Sequence, residues 1–136
     1  MPPAKPIPGS PQEWLARARS DLALARAPLP DGAVFEDLCF HAQQAVEKAI
    51  KAVYQEQDWP FAYTHVIEHL LSGLADRGLA VPADVARASI LTDYATFGRY
   101  PGGLEPVTAD EHTEAVALAA AVLAWAAAQI GTAPSA

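Results

Sequence analysis

The sequence has little cysteine, and what it lacks excludes two common ways of stabilising a small fold. Cys39 is its only cysteine, so an internal disulfide and a cysteine-based zinc site are both excluded. A chain with one cysteine and no possible internal disulfide suits a reducing compartment, so we expect a cytoplasmic protein. Cys39 itself is expected to be a small core residue.

Positive charge is also scarce. Nine Lys and Arg stand against sixteen Asp and Glu, which gives a formal net charge of -7 at pH 7. Sequence-independent binding to nucleic acid depends on many Lys and Arg side chains that neutralise phosphates. The composition therefore argues against broad binding along RNA or DNA, and any RNA contact must be local.

Long hydrophobic runs are almost absent. The exception, Ala115–Ile130, lacks charged residues but is alanine-rich and shorter than the roughly 20 residues that span a bilayer, so no membrane association is predicted. Residues 1–9 carry prolines and one lysine without the apolar centre of a signal peptide, and are expected to form a flexible arm. A chain of 136 residues fits one domain. We place that domain at residues 10–130 and expect residues 131–136 to be a frayed tail.

The apolar residues have a helical period, and no segment alternates with the period of two that is typical of strands. The pattern predicts five helical segments: Ser10 to about Ala27, roughly Val34 to Gln57, about a dozen residues capped by Thr64, about Pro82 to near Gly98, and a segment capped by Thr108 that ends near Ile130. The predicted fold is all-α, an up-and-down antiparallel bundle of four to five helices. In the first helix, Arg17 and Asp21 are expected to lie outside the apolar stripe.

The second predicted helix carries the most informative residues. At 100° per residue, its apolar positions form one broad arc, and His41, Gln44, Lys48 and Lys51 fall on the opposite arc together with Phe40. These polar groups can jointly contact a phosphate, a base or a partner surface. The alternative is an ordinary solvated face on which Glu47 and Lys51 form a weak i,i+4 pair.

The run from Cys39 to Ala52, CFHAQQAVEKAIKA, resembles the most characteristic helix of HEPN domains. Thr64-His65 and Arg99-Tyr100-Pro101 follow in the family's order, and the resemblance extends over about residues 12–130. It implies a helical bundle, commonly a homodimer, linked to nucleotide and RNA metabolism. It also implies frequent pairing with a small nucleotidyltransferase as the two halves of a toxin–antitoxin system.

Many HEPN domains are metal-independent ribonucleases that use an Arg followed by four to six residues and then a His, and this chain departs from that pattern. The residues at those spacings after Arg99 are Leu104, Glu105 and Pro106, and no other Arg has a His at such a spacing. The first His after Arg99 is His112. Without an imidazole at the required place, general acid–base cleavage lacks its proton carrier, so we expect no catalytic residues and no ribonuclease activity.

The remaining candidates lie outside the second helix. His65 is expected to support a pocket if it bonds toward Arg99 or the second helix. Arg99 and Tyr100 can present a guanidinium and an aromatic ring to a nucleotide, or Arg99 can cap a helix end. His65 and His69 have a metal-sharing spacing but no evident third ligand, so neither a metal nor another cofactor is predicted. The ligand-binding or interface candidates are His41, Gln44, Lys48, Lys51, His65, Arg99 and Tyr100.

Three functional hypotheses follow. The first is a catalytically degenerate, dimeric HEPN protein that works with a nucleotide and a nucleotidyltransferase partner. The second is a ribonuclease in which Arg99 acts with His41, His65 or His112 in a rearranged site. The third is an interaction module without a small ligand.

Overall fold

The computed structural model describes residues 6–96 and 105–131, and within these ranges the secondary structure is entirely helical, as predicted. The helices are α1 (Pro11–Ala25), α2 (Phe35–Glu56), α3 (Ile67–Asp76), α4 (Ala83–Ala86), a 3-10 helix (Arg87–Thr92), α5 (Asp93–Thr96) and α6 (Ala109–Ile130).

Side-chain caps define the beginnings of α1 and α6, as the sequence predicts. Ser10 Oγ accepts a hydrogen bond from the Glu13 amide at 3.1 Å, and Pro11 occupies the first turn. At α6, the Thr108 hydroxyl accepts from the Glu111 amide while the Glu111 carboxylate accepts from the Thr108 amide. This reciprocal pair satisfies two amides that the helix itself leaves without partners.

The prediction that Thr64 caps the third helix is wrong. α3 begins at Ile67, and the Thr64 hydroxyl instead accepts from the Val66 amide at 3.0 Å, which forms a local turn before the helix. The amide of Ile67 donates to Thr92 Oγ1 at 3.1 Å. The first turn of α3 is thus capped by a side chain 25 residues further along the chain, which short-range sequence patterns do not reveal.

The fourth predicted helix is not one continuous α-helix. Between α4 and α5 the chain forms the 3-10 helix, which has three residues per turn. Val85 of α4 and Ala88 and Leu91 of the 3-10 helix are all buried and spaced by three. Because a 3-10 helix has three residues per turn, Ala88 and Leu91 both stay on the core side. The predicted end of this segment, near Gly98, lies outside the described residues.

α2 is the central helix of the bundle. It packs against α1, α3, α5, α6 and the 3-10 helix, and it runs antiparallel to α1. Ala42, Ala45, Ala49 and Ala52 of α2 are fully buried. Because the alanine side chain is only a methyl group, the axes of neighbouring helices can approach α2 closely.

α6 is long and apolar enough to cross a membrane by length and composition alone, a test that the core helix of a bundle also passes. Its inner face is buried against α1 and α2 through Leu118, Ala119, Val122 and Ala126. Near its N-terminus, Val107 is buried and its amide lies 3.4 Å from Glu36 Oε2, which connects the segment before α6 to the beginning of α2.

Tyr54 connects α2 to α3 and should make stability depend on alkaline pH. Its buried hydroxyl donates to the Leu70 carbonyl at 2.6 Å. Burial raises the pKa of Tyr54, an effect reduced by Arg77 and reinforced by Asp76. Because the folded-state pKa exceeds the unfolded value of about 10, the stabilisation is present below that pH and is lost as pH rises through the folded pKa.

We therefore expect urea unfolding to show falling stability above about pH 10, and Tyr54→Phe to reduce this fall. Tyr63 is fully exposed, so Tyr63→Phe is the matched control and should leave the pH dependence unchanged. Equal alkaline slopes for wild type and Tyr54→Phe would contradict the assignment.

Candidate functional site

The predicted polar face of α2 is organised by two buried carboxylates, Asp21 and Glu47. Asp21 comes from α1, and its oxygens accept from His41 Nδ1 at 3.0 Å and from Lys48 Nζ at 2.6 Å. One carboxylate therefore holds an imidazole and an ammonium group that lie seven residues apart on α2.

Glu47 is the second carboxylate and is almost completely buried. It accepts from Gln43 Nε2, from His65 Nδ1 at 3.1 Å, and lies 3.5 Å from Lys51 Nζ. Gln44 Nε2 donates to Gln43 Oε1 at 2.8 Å, which extends the arrangement to the surface. We call the set the α2 polar network; its members are Asp21, His41, Gln43, Gln44, Glu47, Lys48, Lys51 and His65.

Aromatic rings enclose one end of this network. The Lys51 ammonium lies 5.7 Å from the centre of the Trp14 ring and 5.3 Å from that of Phe61, and the two rings meet edge to face. A cation over aromatic faces is stabilised by the ring quadrupoles. Trp59 and Phe61 pack against the core, whereas Tyr63 is fully exposed.

The network fixes the chemistry that this face presents. A carboxylate accepts hydrogen bonds, so Nδ1 of His41 and Nδ1 of His65 each carry a proton. The Nε2 atom of each ring is not used in these bonds. The side chains of His41 and His65 are 34% and 63% exposed, so both imidazoles reach solvent. The two carboxylates of Asp21 and Glu47 balance the two ammonium groups of Lys48 and Lys51. The face therefore suits hydrogen bonding and stacking better than attraction of phosphate by net charge.

His112, the first histidine after Arg99, lies in a different place. Its Nε2 donates to the Ala25 carbonyl at 2.6 Å, at the C-terminal end of α1. Its ring stacks on Phe35 with the ring centres 5.1 Å apart. His112 therefore joins α6 to α1 and α2, and its ring is held by structural contacts.

The structure places five of the seven predicted candidates in two neighbouring clusters of the α2 polar network. His41 and Lys48 contact Asp21, whereas Gln44, Lys51 and His65 belong to the cluster around Glu47. His65 bonds to the second helix through Glu47, which is one of the two alternatives that the sequence left open for it. Arg99 and Tyr100 lie outside the described residues. Phe40 lies beside this face and is 38% exposed, with its ring 5.7 Å from that of His41.

Sequence reasoning missed the two residues that organise the site. The prediction that Asp21 stays outside the core was wrong, because its spacing from Ala18 and Ala25 puts it on the buried stripe of α1. The alternative that treated Glu47 as part of a solvated surface pair was also wrong, since Glu47 is only 3% exposed. Glu47 follows Cys39 and Gln43 at intervals of four, which was the available signal.

Fold and site together define a small helical bundle whose central helix carries a partly buried polar face. The HEPN domain model matches residues 11–130, and the chain belongs to the HEPN domain family. Most of the network lies on α2 within the run from Cys39 to Ala52, with Asp21 from α1 and His65 from the loop before α3.

Two solved structures are similar over nearly their whole lengths. TT1696 from Thermus thermophilus is 32% identical, with a TM-score of 0.77 over 89% of this chain and 98% of that one. ST0689, an archaeal HEPN homologue, is 30% identical, with a TM-score of 0.72 over the same shares of the two chains. None of the curated proteins matches the chain.

Proposed function

We propose that this HEPN protein is a catalytically degenerate, dimeric module that binds a nucleotide and works with a nucleotidyltransferase partner in a toxin–antitoxin-like pair. The observation that carries the non-catalytic part is the position of His112. The chain has no His at the ribonuclease spacing after Arg99, and the next one is held between the Ala25 carbonyl and the Phe35 ring. General acid–base cleavage needs an imidazole that can exchange a proton with the substrate, and the Nε2 of His112 is instead engaged by the Ala25 carbonyl.

The α2 polar network supports the binding part of the proposal. Its carboxylates hold His41 and His65 in fixed positions, so their exposed ring edges can form hydrogen bonds without first being ordered. Gln44 adds an amide at the same surface. Such donors and acceptors suit the edge of a base or a partner's backbone.

Phe40 supports self-association through the same face. It is a large apolar side chain, 38% exposed, beside His41 on α2. Apolar surface rimmed by polar groups is characteristic of protein interfaces. We therefore place the dimer contact on the part of α2 that includes Phe40.

The first experiment combines solution mass with RNA cleavage. Light scattering of the full chain, with and without ATP and a short RNA, should give a dimer, and the RNA should remain intact on the same sample. Phe40→Glu should reduce the dimer to a monomer, because a desolvated charge opposes association. Ile90→Glu is the matched control, since Ile90 is also a large exposed apolar residue but lies on the 3-10 helix.

The degenerate assignment, the dimer contact and the partner each have their own contrary result. RNA cleavage that is abolished by Arg99→Ala would overturn the degenerate assignment. A monomer, or a dimer unaffected by Phe40→Glu, would overturn the interface. The partner is tested by co-expression with a nucleotidyltransferase encoded in a neighbouring gene; failure to co-purify would remove that part of the proposal.

A further inference from the structure

A second surface feature lies between α1 and α6, away from the α2 polar network. It is a groove with an apolar floor that includes Leu22 of α1 and Leu123 and Ala127 of α6. Arg19 and Arg26 of α1 also line it. α6 has no charged residue from Ala115 to Ile130, so its wall of the groove is uncharged.

The two arginines have no acidic partner among the residues that the structure describes. In the same parts of the chain, Lys48, Lys51 and Arg87 each pair with a carboxylate, and Arg77 lies over the Trp59 ring. Arg19 and Arg26 are exposed. Arg17 also has no acidic partner among the described residues, but it does not line the groove. What sets Arg19 and Arg26 apart is that both lie beside the apolar floor, on a protein with a net charge of -7.

We propose that this groove binds an acidic amphipathic helix of a partner protein. The floor would accept the helix's apolar side chains, and Arg19 and Arg26 would pair with its carboxylates. Arg19 and Arg26 are seven residues apart on α1, which corresponds to about 10.5 Å along the helix axis. Two acidic residues that are seven apart on a partner helix lying alongside α1 have the same separation. A phosphate or a nucleic-acid backbone would meet the arginines but leave the apolar floor unused.

The groove is independent of the proposed function. Ala23, which lines the groove, follows Asp21 by two residues on α1, a rotation of about 200°. Asp21 therefore faces α2 on the opposite side of the helix. Occupation of the groove leaves the α2 polar network uncovered, so the two surfaces can be tested separately.

The test uses the full chain and a synthetic helical peptide of about 15 residues, with leucines on one stripe and glutamates on both flanks. Fluorescence anisotropy of the labelled peptide should show saturable binding to the wild type. The double variant Arg19→Glu/Arg26→Glu should weaken binding by about tenfold or more. Ala124→Trp, which fills the groove at an exposed position without changing charge, should weaken it as well.

Arg17→Glu is the matched control, because Arg17 is exposed on the same helix but does not line the groove. It should retain binding within about twofold. The peptide with glutamine in place of glutamate should bind weakly. Circular dichroism of each variant verifies that it is folded.

Three outcomes overturn the proposal: the peptide does not bind, it binds equally well to the groove variants, or its binding survives replacement of its glutamates. A short RNA and vesicles containing phosphatidylserine are run in parallel. If either of these depends on Arg19 and Arg26 while the peptide does not, the groove recognises that anion and the proposed protein partner is wrong.

Discussion

Replacing Glu47 with alanine is expected to lower the free energy of unfolding by about 3 kcal/mol. The substitution removes the acceptor of the Gln43 amide, which is fully buried, and the counterion of Lys51, whose side chain is only 15% exposed. A buried donor and a largely buried cation would both lose their partner. Urea denaturation of the purified variant measures the effect.

Glu56→Ala is the control for this prediction, since Glu56 lies on the same helix and is exposed. It should change stability by no more than about 0.5 kcal/mol. Glu47→Gln keeps the shape and part of the hydrogen bonding, so its loss should lie between the other two. If Glu47→Ala costs no more than Glu56→Ala, the carboxylate does not stabilise the network.

Gly73→Ala is expected to destabilise the protein by about 2 kcal/mol, although alanine is normally the better residue inside a helix. Gly73 lies within α3 directly against the Tyr54 hydroxyl, and an added Cβ would overlap that oxygen. Tyr54 cannot move freely, because its ring is buried and its hydroxyl is bonded to the Leu70 carbonyl. Thermal or urea unfolding of the variant measures the loss.

A double-mutant cycle separates this overlap from other effects. In a Tyr54→Phe background the hydroxyl is absent, so Gly73→Ala should become neutral or stabilising by up to about 1 kcal/mol. Ser72→Ala controls for the neighbouring exposed position on α3. A loss of the same size in both backgrounds would show that the Tyr54 hydroxyl is not the cause.

The sequence predicts those parts of the fold that local contacts decide. Ser10 and Thr108 cap the helices that directly follow them, so the beginnings of α1 and α6 were predictable. The beginning of α3 was not, because Thr92 supplies its side-chain partner from a distant part of the chain. The 3-10 helix was also missed, because the sequence predicted one helix from about Pro82 to near Gly98.

The candidate site divides in the same way. Helical periodicity alone places His41, Gln44, Lys48 and Lys51 on one side of α2. Their charge balance depends on Asp21 from another helix, and the position of Glu47 depends on His65 from a loop. A polar residue is usually predicted to be exposed unless its hydrogen-bond partners are known. Here the partners of Asp21 and Glu47 come together only in the folded chain.

The central position of α2 has a consequence for how the molecule opens. Amides in the middle of α2 are covered by α1, α3, α5, α6 and the 3-10 helix, so exchanging their hydrogens with solvent requires these neighbours to separate. The helices from α3 to α5 are shorter, so we expect this segment to open while α1, α2 and α6 stay together. Hydrogen exchange should accordingly divide the chain into a slow three-helix unit and a faster α3–α5 unit.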